Sequence, residues 1–90
     1  MRLDRFLKVS RIVKRRSAAQ EMISHGAVRV GRAEVRPAKD LKPGDIVEVA
    51  FPRKIVTFRV TSVEESAVRR GEGAFEILEE RIVTGEERPW

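Results

Sequence analysis

Ninety residues without a cysteine make one small domain with a modest core and no disulfide or Cys-based metal site to reinforce it. No run approaches the ~18–20 apolar residues a membrane helix needs, and no apolar stretch of signal-peptide type follows the charged N-terminus, so a soluble, cytoplasmic chain is expected. The net charge of +5 is placed rather than spread: residues 1–32 hold nine Lys/Arg against two acids, whereas residues 61–90 hold eight acids against four bases. A basic face on an otherwise ordinary small domain is what a polyanion-binding surface requires, and RNA is the expected polyanion.

Residues 3–9 predict a short helix, with Leu3, Phe6 and Leu7 on one side at i, i+3, i+4 spacing. Arg2, Arg5 and Lys8 recur every third residue on the other side, so the helix has an apolar back and a cationic front. Asp4 falls in the first turn, where the helix dipole favours a carboxylate; capping is the favoured reading, and an ion pair orienting Arg2 or Arg5 is the alternative. Ser10–Arg16 forms a linker in which Ile12 and Val13 turn inward and Arg11, Lys14, Arg15 and Arg16 face solvent. Ser17-Ala-Ala-Gln20 fits a capping box for a second helix, which ends at His25 with Gly26 in the left-handed C′ position.

The rest reads as β. Val28–Val30 and Ala33–Val35 flank Gly31-Arg32, whose leading glycine predicts a type II′ hairpin turn. Lys42-Pro-Gly-Asp45 has type II turn chemistry. Residues 46–51 predict a strand with Val47, Val49 and Phe51 on one face, and residues 55–63 a strand with Val56, Phe58 and Val60 inward. Residues 65–73 are polar and glycine-containing, which predicts a loop; residues 74–80 predict a last strand and residues 84–90 a tail. The whole is α+β, with one domain over residues 1–83.

No catalytic set is legible: no nucleophile motif, no phosphate-binding glycine loop, no metal-ligand cluster around the single His25, and hence no expected cofactor, metal or enzyme activity. The adjacent glutamate pairs read as solubilising surface. Arg69-Arg70-Gly71 is a single, weak RGG-like fragment, and Trp90 either stacks on a base or packs on the domain. A merely solvated surface would mix both signs of charge more evenly than residues 1–32 do, and too few large apolar residues remain for membrane attachment.

The pattern Arg2-Leu3-Asp4-Arg5-Phe6-Leu7, then Arg15-Arg16-Ser17, then Met22-Ile23 and Gly26-Ala27-Val28-Arg29-Val30, closing on Lys42-Pro43-Gly44-Asp45-Ile46-Val47, resembles the S4-type RNA-binding domain over roughly residues 1–50. That resemblance implies a helix pair packed on a small, mostly antiparallel sheet, with the helix pair and adjoining hairpin as the RNA-binding face. It puts Arg2, Asp4, Arg15 and Arg16 at an rRNA and tRNA interface; the charge pattern itself adds Arg5, Lys8, Arg11 and Lys14 to the candidate RNA-binding residues, and Arg29 and the hairpin-tip Arg32 complete them. The opening is most similar to the short, free-standing quality-control members. For those it implies a monomer, without a membrane, that binds large ribosomal subunits still holding peptidyl-tRNA and acts beside RqcH during non-templated tailing of stalled chains. The alternatives are recycling of tRNA-blocked subunits in the manner of the related heat-shock protein, a general rRNA/tRNA-binding module, the detached targeting domain of an RNA-modifying enzyme, and a protein-interaction module with an acidic partner.

Overall fold

Two helices, α1 (Leu3–Val9) and α2 (Arg16–Ser24), open the chain in the computed structural model, which describes residues 1–71, 73–84 and 90. Five strands follow: β1 (Val28–Val30), β2 (Ala33–Glu34), β3 (Ile46–Ala50), β4 (Lys54–Val60) and β5 (Phe75–Ile82). They form one sheet in the order β2-β1-β3-β4-β5, every neighbouring pair antiparallel. This is the expected α+β architecture. A third helix, α3 (Glu65–Arg70), stands between β4 and β5.

The helices cover one face of the sheet because the apolar positions of both have the right period. Leu3, Phe6 and Leu7 of α1 are fully buried, as are Ala19 and nearly so Ile23 of α2. They meet the alternate residues Val28, Val30, Val47, Val49, Phe58 and Val60. Three aromatic rings form the centre: Phe6 stacks on Phe58 at 5.9 Å, and Phe75 approaches both edge-on at 6.4 and 5.5 Å. Offset and edge-on rings of this kind add about 0.5–1.5 kcal/mol per pair beyond the area they bury. The intervening residues belong to the opposite face, where Arg29 pairs with Glu48 at 3.3 Å and Arg59 with Glu76 at 3.7 Å.

The start of α1 is tied down by backbone bonds to a distant loop. Arg2 and Asp40 form an antiparallel bridge, the Leu3 N–H donates to the Lys39 carbonyl at 2.8 Å, and the Leu41 N–H donates to the Met1 carbonyl at 2.8 Å. The Lys42–Asp45 turn has the expected chemistry, with Gly44 at φ +97° and the Asp45 N–H donating to the Lys42 carbonyl.

Three local expectations are corrected. Residues 65–70 are a helix rather than a loop: Val68 is fully buried and Gly71, at φ +76°, closes the turn as a left-handed cap. A single apolar anchor in six residues leaves no periodic signal to read. The second helix begins at Arg16, one residue before the expected Ser17 cap; its N-cap Arg15 has no acceptor with which to cap, and Gln20 points to Asp4 instead of back to the helix start. At the hairpin, Gly31 (φ +60°) and Arg32 (φ +67°) are both left-handed, which makes the turn type I′ rather than II′. Of the expected tail, residues 85–89 lie outside the described residues; Trp90 packs on the domain, its indole N–H donating to the Gly26 carbonyl at 3.1 Å with the Arg29 guanidinium 4.7 Å from its ring.

A left-handed arginine is disfavoured by about 1–2 kcal/mol against a residue without Cβ, partly offset by glycine's greater freedom when unfolded. Arg32→Gly is therefore expected to stabilise the domain by about 0.5–1 kcal/mol, raising the thermal midpoint by a few degrees. A lowered midpoint in a calorimetric scan would contradict the I′ assignment.

Candidate nucleic-acid interface

Asp4 is the only fully buried charged side chain among the described residues. Its two oxygens accept five hydrogen bonds. Oδ1 takes the Arg5 backbone N–H at 2.7 Å and Arg2 Nε at 3.2 Å. Oδ2 takes Gln20 Nε2 at 2.9 Å, Arg2 Nη2 at 3.1 Å and Arg16 Nε at 3.3 Å. The two readings of Asp4 thus coexist. It satisfies a free N–H in the first turn of α1, and it holds Arg2, though not the Arg5 side chain. It also holds Arg16 and Gln20 from α2, contacts that nothing in the local sequence announces.

Burial alone would push this carboxyl up, but the donors from Gln20, Arg16 and Arg2, and then the Arg5 N–H, outweigh it and hold it below the usual carboxylate range. The electrostatic result is a buried anion with two guanidiniums fixed at its rim. The Arg2 and Arg16 side chains remain 49% and 43% exposed, so each is anchored on one edge and open to a second acceptor on the other.

The neighbouring cations stand around this pair. Lys8, Arg11, Lys14 and Arg15 are exposed on α1, the linker and the N-cap of α2. Arg11 adopts φ +68°. It and Arg32 are the only non-glycine residues with positive φ among the described residues, and both are candidate RNA-binding arginines at loop tips. Arg5 is half-exposed and donates to Glu65 of α3, which also accepts from Arg69 at 2.8 Å. Burial would raise the Glu65 carboxyl, but Arg5 and Arg69 together hold it below its ordinary range. Arg32 is exposed at the hairpin tip. Arg29 is not brought together with this surface: it lies on the other face of the sheet, 18% exposed, between Glu48 and the Trp90 ring. His25 is an exposed C-cap of α2. Among the described residues no group of three or more His, Cys, Asp or Glu is placed to hold a metal ion, and no helix is long and apolar enough to cross a membrane.

Residues 1–47 match the family model of the S4 domain. The RQC P-site tRNA stabilizing factor of Bacillus subtilis is 41% identical over 66 residues, 73% of this chain and 77% of that protein. The same factor from Streptococcus pneumoniae is 38% identical over 84 residues, covering 92% and 96%, and that from Halalkalibacterium halodurans 37% identical over 89 residues, covering 97% and 100%. The chain belongs to the S4-domain family of RQC P-site tRNA stabilizing factors. Among solved structures, the fold is shared with Heat Shock Protein 15 of Vibrio cholerae, at a TM-score of 0.77 and 20% identity over 86% of this chain and 80% of that one. The S4 match contains all of α1, α2 and the hairpin, and therefore the whole Asp4 cluster; β4, α3 and β5 lie beyond it.

The sign of the Asp4 shift fixes a pH dependence. A folded value below the unfolded one, which is about 3.9, means its stabilisation is fully present above about pH 4 and is lost as pH falls through the folded value. Asp4→Asn is expected to destabilise the domain by about 1–3 kcal/mol at pH 7, toward the lower end because Arg2 and Arg16 can return to water. Urea unfolding should show the gap between variant and parent narrowing in the acid range below pH 4. Equal stability at pH 7, or a gap that stays constant in acid, would contradict the cluster.

Proposed function

We propose that this chain is a non-enzymatic, cytoplasmic RNA-binding factor that engages rRNA and peptidyl-tRNA on the large ribosomal subunit during ribosome-associated quality control. In this reading it acts as a monomer beside RqcH while stalled chains are extended without a template. The observation that carries the reading is the pair Arg2 and Arg16, fixed by a buried carboxylate with their outer edges open. Two guanidiniums held in a set relation present bidentate forks to phosphate with little side-chain entropy left to lose. Free surface arginines would bind the same charge but not in a set geometry.

Its relatives' names supply the setting: proteins 37–41% identical to this chain are named for stabilizing P-site tRNA. A tRNA and a ribosomal subunit each offer folded phosphate backbones read largely by shape, which suits an open cationic surface better than an enclosed pocket. A groove of about 570 Å³ between α2 and the β3–β4 turn is lined mainly by apolar residues such as Ala18, Met22 and Phe51, with Glu21 and His25 at its side, and brings no arginine or lysine to a phosphate.

The test is sedimentation of the protein with large subunits from lysate, with and without puromycin to release nascent chains. Co-migration that requires retained peptidyl-tRNA supports the reading. Co-migration with small subunits, or signal only at the top of the gradient, contradicts it. Arg16→Ala is expected to keep its fold, since the side chain is half-exposed, and to lower affinity about tenfold. Phosphate contacts release counterions, so the log–log salt dependence of the same variant should be shallower by about 0.7–0.9 for each phosphate lost.

A further inference from the structure

Arg69-Arg70, legible in the sequence only as a fragment of uncertain use, acquires a place once residues 65–70 are a helix. α3 runs beside α1 in the same direction. Near its start, Glu65 accepts from Arg5 of α1; at its end, a Cβ added to Gly71 would lie 3.9 Å from the Ser10 carbonyl at the close of α1. One oxygen, Glu65 Oε1, takes both Arg5 Nη2 and Arg69 Nη2, so the two guanidiniums share a single counter-charge and keep a net positive one. Arg70, next in the chain, is exposed and forms no ion pair among the described residues.

On α1 the residues step by about 100°, which sets Asp4 and Arg5 on either side of Lys8. Asp4 turns to α2, where it holds Arg16; Arg5 turns to α3, where Glu65 holds it with Arg69. Two carboxylates thus each fix two arginines, one on either flank of α1, with the exposed Lys8 between them. The second acid of this helix, Glu64, is its N-cap, about 9 Å of helical rise from Arg70.

Resting on the RNA-binding reading above, we infer that α3 is the second wall of the same surface: Arg69, held by Glu65, stands on the flank of α1 opposite Arg2 and Arg16, Arg70 follows about 100° further round the exposed side of α3, and the two take successive phosphates of the bound RNA. The interface then extends beyond the S4 match, which ends at residue 47, and a polyanion laid along α1 is held from both sides. Glu65 fixes Arg5 and Arg69 there as a positioning residue.

The experiment measures binding to purified large ribosomal subunits at fixed Mg²⁺ across about 50–200 mM KCl for the parent, Arg70→Ala, Arg70→Lys, Arg59→Ala and Arg16→Ala, each checked by circular dichroism. Arg59 is on the opposite face of the sheet, so Arg59→Ala removes the same charge from outside the surface. Arg70→Ala is expected to bind about three- to tenfold more weakly with a salt slope shallower by about 0.7–0.9, Arg70→Lys to recover most of the loss, and Arg59→Ala to match the parent. Arg70→Ala indistinguishable from Arg59→Ala, while Arg16→Ala is weakened, overturns the second wall and leaves the reading above standing. Arg16→Ala unchanged as well overturns both. A misfolded Arg70→Ala would contradict its exposed position, and the Arg70→Lys salt slope then decides, since loss of slope there without loss of fold also counts against a phosphate contact.

Discussion

The Arg2–Arg16 edge of the cationic face depends on one buried carboxylate. An ionised Asp removed from water is strongly unfavourable unless its lone pairs are filled, and Asp4 is filled by donors from three places: the first turn of its own helix, the residue before that helix, and α2. Satisfying the charge and aligning α1 with α2 are therefore one event. Arg2 and Arg16 lie fourteen residues apart in sequence, and they come to a common edge because both must reach the same anion. The proposed function follows from this inversion. A negative charge inside sets the positions of positive charges outside, and in the proposed function the outer edges of those guanidiniums are what a phosphate backbone meets.

The sheet serves as the stage. The Phe6, Phe58 and Phe75 rings clamp α1 to β4 and β5, and the backbone bridge from Arg2 to Asp40 fixes where α1 begins. With its back and its start both held, the helix cannot rotate to bury its cations or to expose Asp4. The strained positions fit the same scheme. Arg11 and Arg32 occupy left-handed backbone where glycine or asparagine would be more favourable, and each puts a guanidinium at an exposed tip. Stability is given up at the two loop positions where charge is displayed.

What was legible in the sequence was what repeats. The 3.6-residue period placed Leu3, Phe6 and Leu7 in the core, the two-residue period placed Val56, Phe58 and Val60 there, and Pro43-Gly44 marked its turn. The six residues of α3 were not legible, because one buried valine and one left-handed glycine are too few points to define a period. Gln20 and Glu65 were missed for a different reason. Their roles come from tertiary neighbours sixteen and sixty residues away, and local sequence pointed elsewhere: Gln20 fits a capping box that the folded chain does not use. Gly31-Arg32 shows the same limit at shorter range. The leading glycine suggested a type II′ turn, whereas the strand pairing Val30 with Ala33 is served by a type I′ turn that also makes Arg32 left-handed. Charge clustering pointed to a candidate surface, but only the fold shows that Arg29 faces away from the Arg2–Arg16 pair.

On the proposed reading, Asp4 acts on RNA through the arginines it holds. A double-mutant cycle measures this directly, comparing affinity for large ribosomal subunits in the parent, Asp4→Asn, Arg16→Ala and the double variant, with each protein confirmed folded. Residues acting through one contact are non-additive. On that reading, Asp4→Asn weakens binding in the parent and has a clearly smaller effect once Arg16 is already alanine. Fully additive losses would show that Asp4 and Arg16 act independently and would contradict it.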